Sequence, residues 1–501
     1  MRIMRKLTCL IASLALALAL SPAGLAEGKP AVNWYEVFVR SYQDSDGDGI
    51  GDLNGLRQRL DYIQDMGWGG IWIMPVMPSP SYHKYDVTDY CAVDPEYGTL
   101  EDMRALAADC RERGIQLIVD LPVNHTSTRH PWFQAACEAL RQGDAEEPCV
   151  GYYNFSQAGG TGFVPLEGTD WYYEERFAGG GMPDLNLDNP EVRREIEEIL
   201  GFWLVDVGVD GFRLDAVTSY YTGDEAANIG CLRWLKETCE AMKPGSLLIG
   251  ECWENLNTIA RYYESGVDSF FLFPTAQAEG IVAAATRGRK PAEKFAASWQ
   301  KVLDAIPRGL LTPFLCNHDT GRTVGLVQGR SNPEMVKFAE GLLGTLNGSA
   351  FTYYGEEIGM VGSGDDPNKR LAMYWSDDDM TEQPPGATQV EYAYPSVEAQ
   401  LKDDASILRY VQAVNRARLA HPEIARGKNT FLLAEGSLCV MRRDLGRTKC
   451  LIAVNFSRKD EGAIEVGEWR IDGDIEVGDG RAALDAGVLI LPPLAIVILI
   501  R

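Results

Sequence analysis

The sequence predicts an α/β fold: a (β/α)8 TIM barrel with a subdomain inserted after its third strand and a C-terminal all-β sandwich. Three observations lead there. Continuous apolar runs alternate with helically periodic stretches between residues 34 and 420, the pattern of a parallel sheet covered by helices on both faces. Eight such units over this length suit a barrel. Residues 126–185 break the rhythm with glycine, proline and aromatics, and beyond residue 422 the pattern turns to short strands and turns.

In chain order, Arg2, Arg5 and Lys6 precede an apolar run at 7–20, and Gly24, Leu25 and Ala26 offer a cleavage site before Glu27. The run is too short for a membrane span, so residues 1–26 read as a signal peptide and export is expected. Strands are predicted at 34–40, 70–74, 115–121, 209–214, 246–250, 310–316 and 350–354. Helices are predicted at 56–66, 100–113, 191–207, 228–242, 335–346 and 405–420, with Gly67 and Gly114 stopping the first two. The barrel then takes residues 27–125 and 186–422, the insert 126–185 and the sandwich 423–501. The apolar run 488–500 is split by Pro492-Pro493 and reads as two buried strands, leaving no membrane span in the mature chain.

At 501 residues the chain exceeds one ordinary core. A formal charge of −25 argues against nucleic acid and anionic membranes as partners and suits an exported protein acting on an uncharged substrate. Of 11 cysteines, the ten after Cys9 are an even number for an oxidising compartment. Cys137 and Cys149 are expected to bridge within the insert. Cys439 and Cys450 flank a turn at 444–447 that would set them opposite each other, close enough for a disulfide. Cys231 and Cys239 lie two helical turns apart and should not pair with each other. Cys252 and Cys316 read as buried thiols, since neither has a histidine partner nearby.

Polar clusters close four of the strands. The third ends Asp120-Leu121-Pro122-Val123-Asn124-His125, the fourth Arg213-Leu214-Asp215, the fifth Gly250-Glu251-Cys252-Trp253 and the seventh Asn317-His318-Asp319. Barrel active sites sit at this end. Arg213 and Asp215, two apart in a strand, point to one side, and the arginine would hold Asp215 ionised, as a nucleophile requires. Apolar surroundings should raise the proton affinity of Glu251. Adjacent strand ends would bring these two carboxyl groups to about 5–5.5 Å, the spacing for retention of configuration. Separately, Asp44, Asp46, Asp48 and Asp52 alternate along a glycine-rich turn that includes Ile50, a set of hard oxygen ligands for Ca²⁺. The spacing begins like an EF-hand, but its twelfth position is Gly55.

These strand ends resemble the four signature regions of the α-amylase family of retaining glycoside hydrolases, and the likeness covers nearly the whole mature chain. It extends to Tyr85-Asp86-Val87-Thr88-Asp89-Tyr90, Met182-Pro183-Asp184-Leu185-Asn186 and Tyr353-Tyr354-Gly355-Glu356-Glu357. The resemblance implies Asp215 as nucleophile, Glu251 as general acid/base and Asp319 as stabiliser of the transition state. It also implies that Tyr85, His125, Arg213 and His318 line the subsite beside the cleaved bond. Trp253 joins the substrate contacts, and Asp86 is placed to hold a non-reducing-end hydroxyl. The 44–52 loop resembles a calcium loop found in part of the family.

Three departures refine this. Thr218 and Ser219 stand where many α-amylases carry a Lys-His pair, which removes a usual ligand of a second calcium although Asn124 matches. Ala216 replaces the valine of 1,6-specific relatives and favours α-1,4 linkages. No extra domain separates leader and barrel, so a monomer is expected. The implied function is an endo-acting α-1,4-glucan hydrolase on starch or maltodextrins. An exo-acting α-glucosidase or a transglycosylase is the alternative. A catalytically inactive binding subunit is opposed by the intact Asp215, Glu251 and Asp319.

Overall fold

Seven parallel strands form one curled sheet, in the order Phe351–Tyr353, Trp34–Val37, Gly70–Ile73, Gln116–Leu121, Gly211–Leu214, Leu247–Gly250 and Ser269–Phe270. This is a computed structural model, and it describes residues 32–307, 309–472 and 481–501. The leader expected at 1–26 lies outside them. The segment 310–316 closes the sheet on itself through two parallel bridges, Phe271 with Thr312 and Phe314 with Phe351. The result is the expected barrel, its seventh stave a pair of bridges and not a continuous strand. The sixth strand, Ser269–Phe270, has only two residues. That is too short for periodicity to reveal, and no strand was predicted there.

The strands are buried on both faces because alternate residues serve two cores. Tyr35, Ile71, Leu117, Phe212 and Leu248 pack outward under the helices. Trp34, Trp72, Ile118, Ile249, Phe271, Phe314 and Phe351 fill the barrel interior, where Trp34 and Phe351 stack at 5.4 Å. Two residues further along the same inward rows come Glu36, Asp120 and Glu251. The period of two therefore delivers a polar layer directly above an apolar plug.

Several bounds shift for local reasons. The predicted helix at 56–66 is two helices, Leu53–Gln58 and Leu60–Asp65, and the first is capped by Asp52 accepting from Gly55 N. The helix predicted at 191–207 is α-helical over Pro190–Gly201, then widens into a π-helical turn, Phe202–Val207, that stops at Gly208 (φ 92°). The insert holds a helix, Pro131–Gln142, and a small antiparallel sheet of Phe155–Ser156, Tyr172–Glu174 and Phe163–Pro165. It rejoins the barrel through bridges from His125 to Asp184 and from Tyr153 to Leu185.

The C-terminal part contains a five-stranded sheet and a three-stranded one. Val440, Leu451, Ala453, Val497 and Leu499 face Ile464, Leu489 and Leu491 of the smaller sheet. Met441, Ile452, Val454, Ile496 and Ile498 face the barrel side. Both faces are apolar because both are covered. The hairpin here corrects the cysteine expectation. Its turn is two residues long, Leu445 opposite Thr448, so Cys439 faces Val454 and Cys450 faces Arg443. Neither that pair nor Cys137 and Cys149 forms a disulfide; all ten cysteines of the described residues are free thiols. Among the described residues no helix is long and apolar enough to cross a membrane.

Candidate active site

The polar layer is organised around Arg213, which is 0% exposed. Its Nη1 donates to both oxygens of Asp120 (2.8 and 2.9 Å) and to Asp215 Oδ1 (2.6 Å). Its Nη2 lies 3.0 Å from Glu251 Oε1. The fourth and fifth strand ends thus rest their carboxylates on one guanidinium, side by side. A buried cation needs such partners, and these carboxylates need it equally.

Burial pushes the Glu251 carboxyl up to about 8, against Arg213 and with the help of negative charge on Asp215 and Asp319. Its Oε2 accepts from Ala216 N at 2.9 Å, which fixes the carboxyl beside Asp215. Ala216 adopts a φ of 45°, a left-handed conformation rare for a residue with a Cβ. Asp120 is pushed up to about 6 by burial, with Asp215 adding and Arg213 opposing.

The seventh strand end supplies the other half. Asp319 is held by His318 Nε2 at 2.9 Å and Arg370 Nη2 at 2.8 Å. Burial opposes its charge, but His318, Arg370 and Arg213 hold its carboxyl well below the usual carboxylate range. His318 also contacts Tyr85 Oη at 2.8 Å and Glu36 Oε1 at 2.6 Å. Against the effect of burial, Asp319 and Glu36 push it up to about 9. Tyr85 donates to Asp120 Oδ2 at 2.8 Å, and its ring stacks on His318.

Above this layer opens a cleft of about 530 Å³ whose walls include Tyr85, His125, Asp215, Glu251, Trp253 and Asp319. Burial lowers His125 below the usual histidine value, and its Nε2 has no partner among the described residues. A neutral imidazole with an unused ring nitrogen is ready for a ligand hydroxyl. Trp253 is 47% exposed and stacks on Phe273 at 4.7 Å. From the insert, Phe177 packs edge-on to His125, and Arg176 Nε donates to Ser219 Oγ at 3.2 Å. Asp86 accepts at one oxygen, Oδ1, from Ser79 Oγ at 2.6 Å and from Ser81 Oγ, and its charge acts on His83 and His125 of the cleft wall.

Sequence reading assigned no role to Glu36, Asp120, Arg370 or Arg176. Asp120 stood inside a motif already singled out. Glu36 carried a usable signal, a lone carboxylate in the buried strand Trp34–Val37. Arg370 and Arg176 lie in irregular chain, where no period assigns a direction.

The aspartate loop is only partly as expected. Oxygens of Asp44, Asp46 and Asp48 all fall within 4.8 Å of one another. Despite slight burial, backbone donors at Gly47, Gly49 and Asp46 lower the Asp44 carboxyl. Asp52 does not join this group: its carboxylate accepts from Ser45 N, Ser45 Oγ and Gly55 N. Ile50 N donates to Asp48 Oδ1. Three carboxylates with no histidine or thiolate among them suit a hard cation such as Ca²⁺. At the base of the insert, Asn124 Nδ2 donates to Asp184 Oδ1 at 2.8 Å, and burial pushes that aspartate up to about 7.

Residues 36–427 match the family model of the alpha amylase catalytic domain. The structure resembles Eubacterium rectale Amy13B with a TM-score of 0.90 and 40% identity, covering 94% of this chain and 97% of that one. The chain is 36% identical over 449 residues to alpha-amylase 3 of Dictyoglomus thermophilum, covering 85% of this chain and 84% of the relative. It is 31% identical to the trehalose synthase/amylase TreS of Mycobacterium tuberculosis, covering 79% and 75%. With that match, that barrel and three strand-end carboxyl groups converging on one cleft, the chain belongs to the α-amylase family of glycoside hydrolases.

Proposed function

We propose that this protein is an exported, monomeric α-1,4-glucan hydrolase that cleaves starch or maltodextrins internally by a retaining double displacement. One arrangement carries the mechanism: Asp215 and Glu251 sit side by side on one buried guanidinium, Asp215 Oδ1 2.6 Å from Nη1 and Glu251 Oε1 3.0 Å from Nη2, with burial pushing Glu251 up to about 8. This chemistry needs an attacking carboxylate beside a carboxyl group that can give up a proton. Asp215 attacks the anomeric carbon, and Glu251 gives its proton to the departing oxygen. Glu251, now ionised, then takes a proton from the water that cleaves the glycosyl ester. Asp319 stabilises the oxocarbenium character that develops between these steps. His125 and Tyr85 orient the ring by hydrogen bonding and by the flat face of the tyrosine.

The endo reading is supported by the exposed Trp253 and Phe177 at the cleft rim, which suit a chain that continues beyond the cut. Soluble starch followed over time tests this. Iodine staining should collapse early while reducing ends are few, and mixed maltodextrins should precede glucose. Glucose as the sole early product would assign exo action, and a disaccharide isomer would assign transglycosylation.

Calcium at Asp44, Asp46 and Asp48 would tie the 44–52 loop, contributing stability and no catalytic step. A ligand that binds only the native state at a hundredfold excess over its Kd stabilises by about 2.7 kcal/mol. EDTA is therefore expected to lower the Tm by a few degrees, and added Ca²⁺ to restore it. The double variant Asp46→Ala/Asp48→Ala should melt at the lower temperature with or without chelator. A wild-type melt indifferent to EDTA would remove calcium from the account.

A further inference from the structure

We propose that Glu36, at the inner end of the first barrel strand, is a positioning residue for the reaction: its carboxylate holds His318 doubly protonated and fixed, so that Asp319 stays anionic and aimed at the cleft. This rests on the reading of Asp319 given above. Glu36 is 1% exposed, and one oxygen accepts from both the Nδ1 of His318 (2.6 Å) and its backbone N (3.3 Å). The opposite ring nitrogen faces Asp319 Oδ2 and Tyr85 Oη. An ionised carboxylate only accepts. With one on each side, the imidazole must donate from both nitrogens, which makes it an imidazolium.

The ring has no freedom to escape this arrangement. Trp72 meets it edge-on at 5.6 Å and Tyr85 stacks on it at 5.6 Å. The remaining charged neighbours are Asp120 and Arg213 behind Tyr85, and Arg370, whose Nε donates to the His318 carbonyl at 3.1 Å. Burial by itself would raise the Glu36 carboxyl and discharge His318, and each opposes that change in the other. Remove the Glu36 charge and His318 retains only Asp319 as a close anion. Its proton would then leave at lower pH, and a neutral histidine would no longer secure the charge of Asp319.

The test compares pH profiles. In the wild type the alkaline limb of kcat/KM belongs to Glu251, near pH 8, with His318 titrating above it. An opposite charge this close is worth one to three pKa units. Glu36→Gln is therefore expected to bring His318 from about 9 to between about 8 and 6, level with or below Glu251, so that the limb moves acidward by up to about two units, with kcat down roughly tenfold and KM nearly unchanged. Glu36→Asp keeps the charge, so its limb should return toward the wild-type position even where kcat does not. A Glu36→Gln profile superimposable on the wild type, merely scaled, would overturn the proposal. If that variant fails to fold, ¹⁵N-histidine NMR of the wild type decides. The chain has five histidines, and loss of one signal in His318→Gln assigns the resonance. Both His318 ring nitrogens should carry protons at pH 7, and a neutral ring there overturns the proposal. The NMR result needs no turnover, so failure of the hydrolase reading is distinguishable from failure of this one.

Discussion

Asp215→Asn is expected to lower kcat on maltooligosaccharides roughly 10⁴-fold or more while leaving the protein folded. The side chain keeps its shape but loses the charge that attacks the anomeric carbon, so no glycosyl ester can form. Structure should survive because Arg213 retains two bonds to Asp120 and its contact with Glu251. One electrostatic consequence can be read independently. Asp215 is among the groups that raise Glu251, so the glutamate should titrate at lower pH in the variant. The wild-type reaction, followed by NMR from its first turnovers, should release the α-anomer before mutarotation. An initial β-product, or an Asp215→Asn enzyme with near-normal turnover, would mean that Asp215 is not the nucleophile.

How much of this was legible beforehand depended on whether chemistry sat on a periodic element. Asp215, Glu251 and Asp319 lie just beyond the apolar runs of strands, where the period of two fixes the side they face and barrel topology fixes the end. His125, which lines the cleft with them, follows strand three in the same way, whereas Tyr85 sits well along the irregular loop after strand two and was placed by the family resemblance alone. Residues delivered by irregular chain were not legible. Arg370 reaches Asp319 from a loop after the eighth strand, and Arg176 comes from the insert. The pairing of Cys439 with Cys450 failed on where the turn is centred: with Leu445 opposite Thr448, Cys439 faces Val454 and Cys450 faces Arg443. Asp52 is set apart from the other three aspartates because its carboxylate caps the helix Leu53–Gln58.

Glu251→Gln should separate the two half-reactions. The glutamine cannot protonate a sugar leaving group, so glucan cleavage should fall by roughly 10²- to 10⁴-fold, the usual worth of general acid catalysis. An α-glucosyl fluoride behaves differently, because fluoride departs with little help from an acid. Asp215 should still attack it, and the glycosyl ester should form at a useful rate. Its hydrolysis also needs Glu251, now as the base that takes a proton from water, so the ester should accumulate. Mass spectrometry of the intact variant after mixing should find one added hexose, and peptide mapping should place it on Asp215. The pH dependence supplies a second reading. Glu251 acts as an acid only while protonated, so wild-type activity on glucans should be lost as pH rises through about 8. With the fluoride and Glu251→Gln, ester formation should show no such limb, because the group that titrates there is gone. A hexose on any residue other than Asp215, or an alkaline limb that survives the substitution, would reassign the acid.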